Sequence, residues 1–180
     1  MKRILASGIA VTFCTVAVAL AQLAQAPPKP GPEHQKLAPF VGNWNFVGEM
    51  KPGPMGPGGK MTGTDRIAWL PGGFFIERRF DGTSPLGDMH GVEIMGYDTA
   101  KKVYTYNFFD SMGTMGMGTI TVTGSTWNAK GAASSGGETM QERCTLTFGA
   151  GNTTLAIKCE SSLDGKTFAP FIEGTATKSK

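Results

Sequence analysis

One arginine lies among apolar residues in a segment with the alternation of a β-strand. Arg78 alternates with Phe74, Ile76 and Phe80, so these residues are predicted to share one face. A cation in apolar surroundings needs a partner, and a guanidinium group suits a carboxylate. Arg78 is therefore predicted either to form an internal ion pair or to anchor the carboxylate of a bound ligand.

Each interpretation of Arg78 has its own candidate neighbours. Glu142 is the predicted ion-pair partner, because it alternates with apolar residues on the core side of a later strand. For a ligand, the residues that could line the site beside Arg78 are Trp69, Phe74 and Phe80. The ion pair is the favoured interpretation, and the ligand anchor is kept as the functional alternative.

Acid–base or metal chemistry has one candidate pair. Asp88 and His90 are two residues apart and so share a strand face, and with Asp110 they suggest a hydrolase or isomerase as a third option. A solvated pair near a loop is the favoured interpretation. The sequence contains no nucleophile elbow, zinc-type cluster, phosphate loop or dinucleotide fingerprint. No catalytic residue, metal ligand or cofactor is assigned, and a non-enzymatic protein is favoured.

Methionine is concentrated in the segment Ser-Met-Gly-Thr-Met-Gly-Met-Gly, which contains Met112, Met115 and Met117. Thioethers are soft ligands that suit Cu(I), so copper handling is an alternative function. Methionine is also an adaptable filler of apolar pockets. Lining of a pocket, or packing, is the favoured interpretation of these side chains.

Two cysteines face each other in the best-defined hairpin of the chain, residues 142–160. Folding about a two-residue loop at Gly151-Asn152 pairs Cys144 with Cys159 and places both on the apolar face. Opposed cysteines lie within bonding distance. A disulfide between Cys144 and Cys159 is therefore predicted, at a hydrogen-bonded position of the ladder if the loop has two residues.

The first 26 residues have the layout of a secretory signal peptide. Lys2 and Arg3 precede an apolar run over residues 4–21, and small residues then mark cleavage after Ala21 or Ala26. An uncleaved membrane anchor is the less favoured alternative. We predict export to the periplasm or beyond the cell, the setting in which disulfides form, with no stable membrane insertion after cleavage.

The remaining chain is divided into about ten β-like runs separated by glycine-rich turns. Residues 27–32 form a Pro-rich tether, residues 33–41 contain a short helical stretch, and the runs follow at roughly regular spacing up to residue 177. This pattern predicts one all-β domain over residues 33–180, an antiparallel sandwich or barrel. The net charge of +3 comes without a basic patch, so nucleic acid is not an expected partner.

An ordered set of motifs resembles a known family. The segment Phe40-Val41-Gly42-Asn43-Trp44 is followed by Leu-Pro-Gly-Gly-Phe at 70–74 and Met-Gly-Tyr-Asp at 95–98. Together they resemble the bacterial exported family called domain of unknown function 1579, within the calycin and lipocalin group. The resemblance implies a calycin-like β-barrel with Trp44 closing one end, and it implies no activity. Related nitrobindins hold haem through a late histidine, but no histidine follows His90 here.

These observations favour an exported, non-enzymatic barrel that binds a small apolar or amphipathic ligand in its interior. Neither the ligand nor the oligomeric state is indicated by the sequence.

Export makes a direct prediction about the N-terminus of the mature protein. The native product is expected to begin at Gln22 or Pro27, because the small residues before each suit signal peptidase. N-terminal sequencing of the exported fraction tests this. Recovery of an intact Met1 in that fraction would contradict it.

Overall fold

The computed structural model describes residues 28–54 and 56–179, so the predicted signal peptide lies outside the described residues. A short helix α1 (Pro32–Gln35) and a 3-10 turn (Ala38–Phe40) precede the sheet. Ten strands follow: β1 Gly42–Met50, β2 Gly59–Trp69, β3 Phe75–Ser84, β4 Gly87–Asp98, β5 Val103–Asp110, β6 Met115–Thr123, β7 Thr126–Ser135, β8 Glu138–Phe148, β9 Thr154–Ser162 and β10 Ala169–Lys178.

The ten strands form one closed antiparallel barrel. Each strand pairs with the next along the chain, and β1 also pairs with β10. This closing ladder runs from Trp44 opposite Lys178 to Met50 opposite Ile172. The predicted fold class, a calycin-like barrel of about ten strands with a short N-terminal helix, is confirmed.

One end of the barrel, which we call the helix end, is closed by α1 and the 3-10 turn. Leu37, Phe40 and Trp44 are buried there in the main apolar cluster. Nε1 of Trp44 donates a 2.7 Å hydrogen bond to the carbonyl of Phe40, and the Tyr104 hydroxyl donates to the carbonyl of Glu33. Trp44 therefore both fills the helix end and fastens the N-terminal segment across it, as predicted.

The β8–β9 hairpin has the predicted register and a different loop. Cys144 is opposite Cys159 and disulfide-bonded to it, with Cα atoms 4.1 Å apart. The loop is four residues long, because the N–H of Gly149 bonds to the carbonyl of Thr154 and a 3-10 turn spans 150–152. The cysteines thus occupy a non-hydrogen-bonded position, contrary to the prediction from a two-residue loop.

Strand β3 begins one residue later than predicted. The N–H of Leu70 bonds to the carbonyl of Phe75 and that of Gly73 to Leu70, which closes a turn around two glycines of positive φ. Phe74 belongs to this turn, and its ring packs against His34 at 5.1 Å. The prediction that Phe74 shares the face of Arg78 is therefore wrong.

Large aromatic rings on the inner face lie over glycines of neighbouring strands. A Cβ atom added at any of these glycines would lie 2.2–2.7 Å from the nearest atom of the aromatic side chain, which is an overlap and not a contact. The pairs are Phe46 over Gly174, Phe80 over Gly91, Phe108 over Gly116, and Tyr106 over Gly118 and Gly131. Glycine in a strand permits such close approach, so the rings follow the wall of the barrel.

Replacing Trp44 by Ala is expected to lower the free energy of unfolding by about 3–5 kcal/mol, the range for a buried aromatic side chain. Chemical denaturation gives the value, and Val47→Ala, an exposed site on the same strand, is the matched control. Equal stability of the two variants would contradict the role of Trp44 as the end plug.

Candidate functional site

The middle of the barrel differs from the helix end in how fully its inner wall is covered. Most inner-face side chains at the helix end are buried, whereas several in the middle, among them Phe46, Phe80 and Phe108, are half-buried. Arg78 lies on the inner face of β3, yet 35% of its side-chain surface is accessible. Because this face is turned inward, the accessible surface lies on the inside of the barrel wall, and the space concerned is the interior around Arg78. We call the space the central chamber.

An ion pair occupies one side of the central chamber. Nε of Arg78 lies 3.0 Å from Oδ1 of Asp65, and Nη1 lies 3.9 Å from Oε2 of Glu93. The two carboxylates come from the flanking strands β2 and β4, and Glu93 is the direct register partner of Arg78. Their side chains are only 12% and 16% accessible, so Arg78 is their main source of compensating charge.

The electrostatics of this group follow from burial and proximity. Burial disfavours the charged form of Arg78, but the nearby Asp65 and Glu93 outweigh it and raise the pKa of the guanidinium. Burial also raises the pKa of Glu93, and Arg78 only partly offsets this. The arginine is thus held charged, and burial disfavours the ionised form of Glu93.

Glu142 is not the partner of Arg78, which corrects the favoured ion-pair assignment. Glu142 lies on the inner face of β8, whereas Asp65 on the neighbouring strand β2 takes the arginine. No side chain among residues 28–54 and 56–179 forms an ion pair or hydrogen bond with Glu142 within the distances that define them. Burial raises the pKa of its carboxyl group from 4.5 to about 7.

Tyr106 connects the two sides of the chamber. Its ring crosses Gly118 and Gly131, and a Cβ at Gly131 would overlap the phenol oxygen. Gly131 is the register partner of Glu142, so the Tyr106 hydroxyl comes close to that carboxylate. Burial raises the pKa of Tyr106 to about 12, and the negative charges of Glu142 and Glu93 add to the effect. The phenol therefore stays neutral at physiological pH.

A groove of about 300 Å³ lies at the end of the barrel opposite α1, between the β1–β2 and β9–β10 loops. Its wall is largely apolar and includes Pro52, Met140 and Phe171. Ser161 also lines it and is the direct register partner of Glu142. The groove therefore approaches the chamber on the side where Glu142 lies.

The structure brings one predicted lining residue directly to Arg78. The guanidinium carbon of Arg78 lies 4.8 Å from the centre of the Phe80 ring, a cation–π contact. Trp69 is on the inner face nearer the helix end and packs against the main apolar cluster. Phe74 packs on His34 in the turn before β3, so it does not reach this group.

Sequence reasoning missed Asp65, Glu93 and Tyr106. The alternation that placed Arg78 inside also carries Asp65 in phase with Ile67 and Trp69, and Glu93 in phase with Met95. That signal was present in each strand. Which carboxylate meets Arg78, however, depends on strand pairing.

The other candidate groups lie away from the chamber. His90 contacts Asp81 at 2.7 Å on the outer face, and Asp88 accepts a hydrogen bond from Thr83. Asp110 accepts hydrogen bonds from the N–H groups of Met112 and Thr114, which shapes the β5–β6 turn. Asp88 and His90 therefore contact different partners and do not form a pair with each other.

The methionine cluster faces outward, so the prediction that it lines a pocket or packs inside is wrong. Met115 and Met117 share a face, as predicted, but that face is the exterior, and Met117 is 60% exposed. Met112 is also exposed, in the adjoining turn. The glycines between them face inward, where Phe108 and Tyr106 cover Gly116 and Gly118.

Comparison with known proteins agrees with this architecture. The model of a family described as "Protein of unknown function (DUF1579)" matches residues 29–178, which confirms the predicted resemblance. The crystal structure of Rv2717c from M. tuberculosis has a TM-score of 0.62 at 13% identity, covering 83% of this chain and 99% of that one. The S-type phycobiliprotein lyase CPES from Guillardia theta has a TM-score of 0.53 at 10% identity, covering 82% and 93%. These identities show a shared fold alone, and no curated protein matches the chain.

Replacing Arg78 by Leu is expected to lower the free energy of unfolding by about 2–3 kcal/mol, because it leaves Asp65 and Glu93 without their cation. This is less than the loss for a fully buried pair, since Arg78 is partly accessible. The double change Arg78→Leu with Asp65→Leu should recover much of the loss.

The control for this cycle is Arg79→Leu, the exposed neighbour that pairs with Glu77 on the outer face, which should change stability by less than about 0.5 kcal/mol. Thermal and denaturant unfolding give all four values. A double variant no more stable than Arg78→Leu alone would contradict the ion pair.

Proposed function

Since the chain belongs to this family of unknown function, we propose from its site that it is an exported, non-enzymatic protein that binds a small apolar or amphipathic molecule in its central chamber. The observation that carries the proposal is the accessible surface of Arg78 on an inner face. If side chains filled the middle of the barrel, Arg78 would have no accessible surface there.

The chamber has the composition of a small-molecule site. Binding sites of this kind combine apolar walls with a few polar groups that orient the ligand. Aromatic rings of Phe46, Phe80 and Phe108 form the wall, and the polar groups of Arg78 and Glu142 are confined to the middle. In this proposal Arg78 and Phe80 contact the ligand and Trp69 bounds the chamber toward the helix end.

The groove at the opposite end is the proposed entrance. Its apolar residues Pro52, Met140 and Phe171 suit the passage of a hydrocarbon or aromatic body. The helix end offers no comparable route in this proposal, because Trp44 and Phe40 are packed across it.

Export is supported by one feature of the described chain. The disulfide between Cys144 and Cys159 is typical of proteins outside the reducing cytoplasm. None of the helices within residues 28–54 and 56–179 is long and apolar enough to cross a membrane. The proposed location is the periplasm or the exterior of a bacterial cell.

Binding in the chamber is tested with N-phenyl-1-naphthylamine, a neutral fluorescent probe whose emission rises in apolar surroundings. We expect saturable binding by the wild-type protein. Ser161→Trp places an indole where the groove meets the chamber and is expected to weaken binding at least about tenfold, since it fills the entrance.

The matched control is Ala156→Trp, which adds the same indole to the exposed outer face of β9. It should bind the probe like the wild type. No saturable binding to the wild type, or equal weakening by both substitutions, would overturn the chamber as the binding site.

A further inference from the structure

We propose that the ligand of the central chamber carries a cationic hydrogen-bond donor, such as a protonated amine, and that Glu142 and Tyr106 bind this group. The inference rests on the proposed function, since it names the chemistry of the molecule that the chamber would hold. It departs from the expectation that Arg78 anchors a carboxylate.

The charges of the chamber are unequal. Three carboxyl groups, those of Asp65, Glu93 and Glu142, face one guanidinium, that of Arg78. The other inward cation of the described strands, Lys178, lies at the helix end, where its Nζ contacts the Trp44 ring and the carbonyl of Pro39. An acidic ligand would add a fourth carboxyl group, whereas a cation would correct the imbalance.

The charge of Arg78 is already compensated by carboxylates of the protein, so this residue does not require an anionic ligand. Its Nε is held by Asp65 at 3.0 Å, and Glu93 is its register partner on the other side. A carboxylate that bound Arg78 would have to compete with both side chains. Arg78 is the one cationic side chain described in the chamber, so selective binding of an anionic ligand is disfavoured.

Glu142 is the carboxylate without compensation. It is half-buried on the inner face of β8, and no described side chain donates to it or pairs with it. Burying an ionised carboxylate without a partner is costly. A ligand ammonium would supply the missing charge and up to three donors, and the burial that raises the pKa of Glu142 would then be offset.

Tyr106 is the second, independent observation that points to a ligand. The residue is only 8% exposed, and no hydrogen-bond partner for its hydroxyl is found in the part of the chain that the structure describes. The hydroxyl oxygen is not enclosed, because every fully buried side-chain polar atom of the described residues has a hydrogen-bond partner, so it keeps surface that a ligand could reach. The hydroxyl is directed across Gly118 to Gly131, the register partner of Glu142, so the phenol and the carboxylate lie on the same part of the inner wall.

The row Tyr106, Gly118, Gly131 and Glu142 runs across four consecutive strands in direct register. The two glycines leave the wall between the polar groups without side chains. Ser161, the next residue of the row, lines the groove at the opposite end. A ligand entering there would meet Glu142 first, with its apolar body against Met140 and Phe171.

The experiment compares three ligands with the same chain and different head groups. Dodecylamine and dodecanoate, each below its micelle concentration, and 1-dodecanol, below its solubility limit, compete with N-phenyl-1-naphthylamine at pH 8, where the amine is protonated and Glu142 is ionised. Dodecylamine is expected to bind at least about tenfold more tightly than dodecanol, and dodecanoate more weakly than dodecanol.

Glu142→Gln should remove the preference for the amine while leaving dodecanol and probe binding within about twofold, because amide and carboxyl have the same shape. This variant is expected to fold, since it removes an uncompensated buried charge. Glu160→Gln, a change on the outer face of the adjacent strand, is the matched control and should retain the preference. Tyr106→Phe should reduce the preference in part.

The outcomes separate this inference from the proposed function. Suppose that the probe and dodecanol bind, but dodecylamine binds no more tightly than dodecanol, or Glu142→Gln keeps the preference for the amine. The cation site is then overturned, and binding in the chamber is still supported. Calorimetric titration of dodecylamine is run in parallel. If neither the probe nor the amine binds, the proposed function itself is overturned, and with it the inference.

Discussion

The pairing of β1 with β10 is the constraint on which the rest of the structure depends. It closes the sheet over seven residue pairs, from Trp44 opposite Lys178 to Met50 opposite Ile172. Without it, two long strands would present unpaired backbone groups to other chains. Closure also turns the alternating pattern of each strand into an inside and an outside. Arg78 and Asp65 meet on the neighbouring strands β2 and β3, and closure of the sheet brings Glu142 of the distant strand β8 to face the same interior.

Closure alone does not determine the inner wall of the barrel, and the inner glycines set part of its shape. Where a glycine faces inward, an aromatic ring of a neighbouring strand lies along the wall in place of a side chain, as Phe108 does over Gly116 and Tyr106 over Gly118. This arrangement spreads aromatic surface over the wall. It accounts for part of the high glycine content, 26 of 180 residues, which in the sequence indicated only turns.

Local patterns predicted the strands, and non-local pairing decided the site. Ten strands, the β8–β9 register and the disulfide follow from alternation and turn residues within short segments. The partner of Arg78 could not be chosen that way, because Asp65 and Glu142 are both in phase with inner residues and only strand order separates them. In the segment Met-Gly-Met-Gly, the alternation alone does not show whether methionine or glycine faces inward. The glycines face inward because the rings of Phe108 and Tyr106 on β5 cover them.

The division of the interior into two regions connects the fold to its proposed role. At the helix end, Trp44 and its neighbours supply apolar burial that stabilises the barrel without any ligand. The middle can then hold polar groups, because the apolar burial at the helix end offsets part of their desolvation cost. Asp65 and Arg78 satisfy each other there, while Glu142 and Tyr106 do not. A protein that needed those groups only for folding would be more stable with apolar residues in their place, so their presence inside a closed barrel fits the proposal of a molecule that completes them.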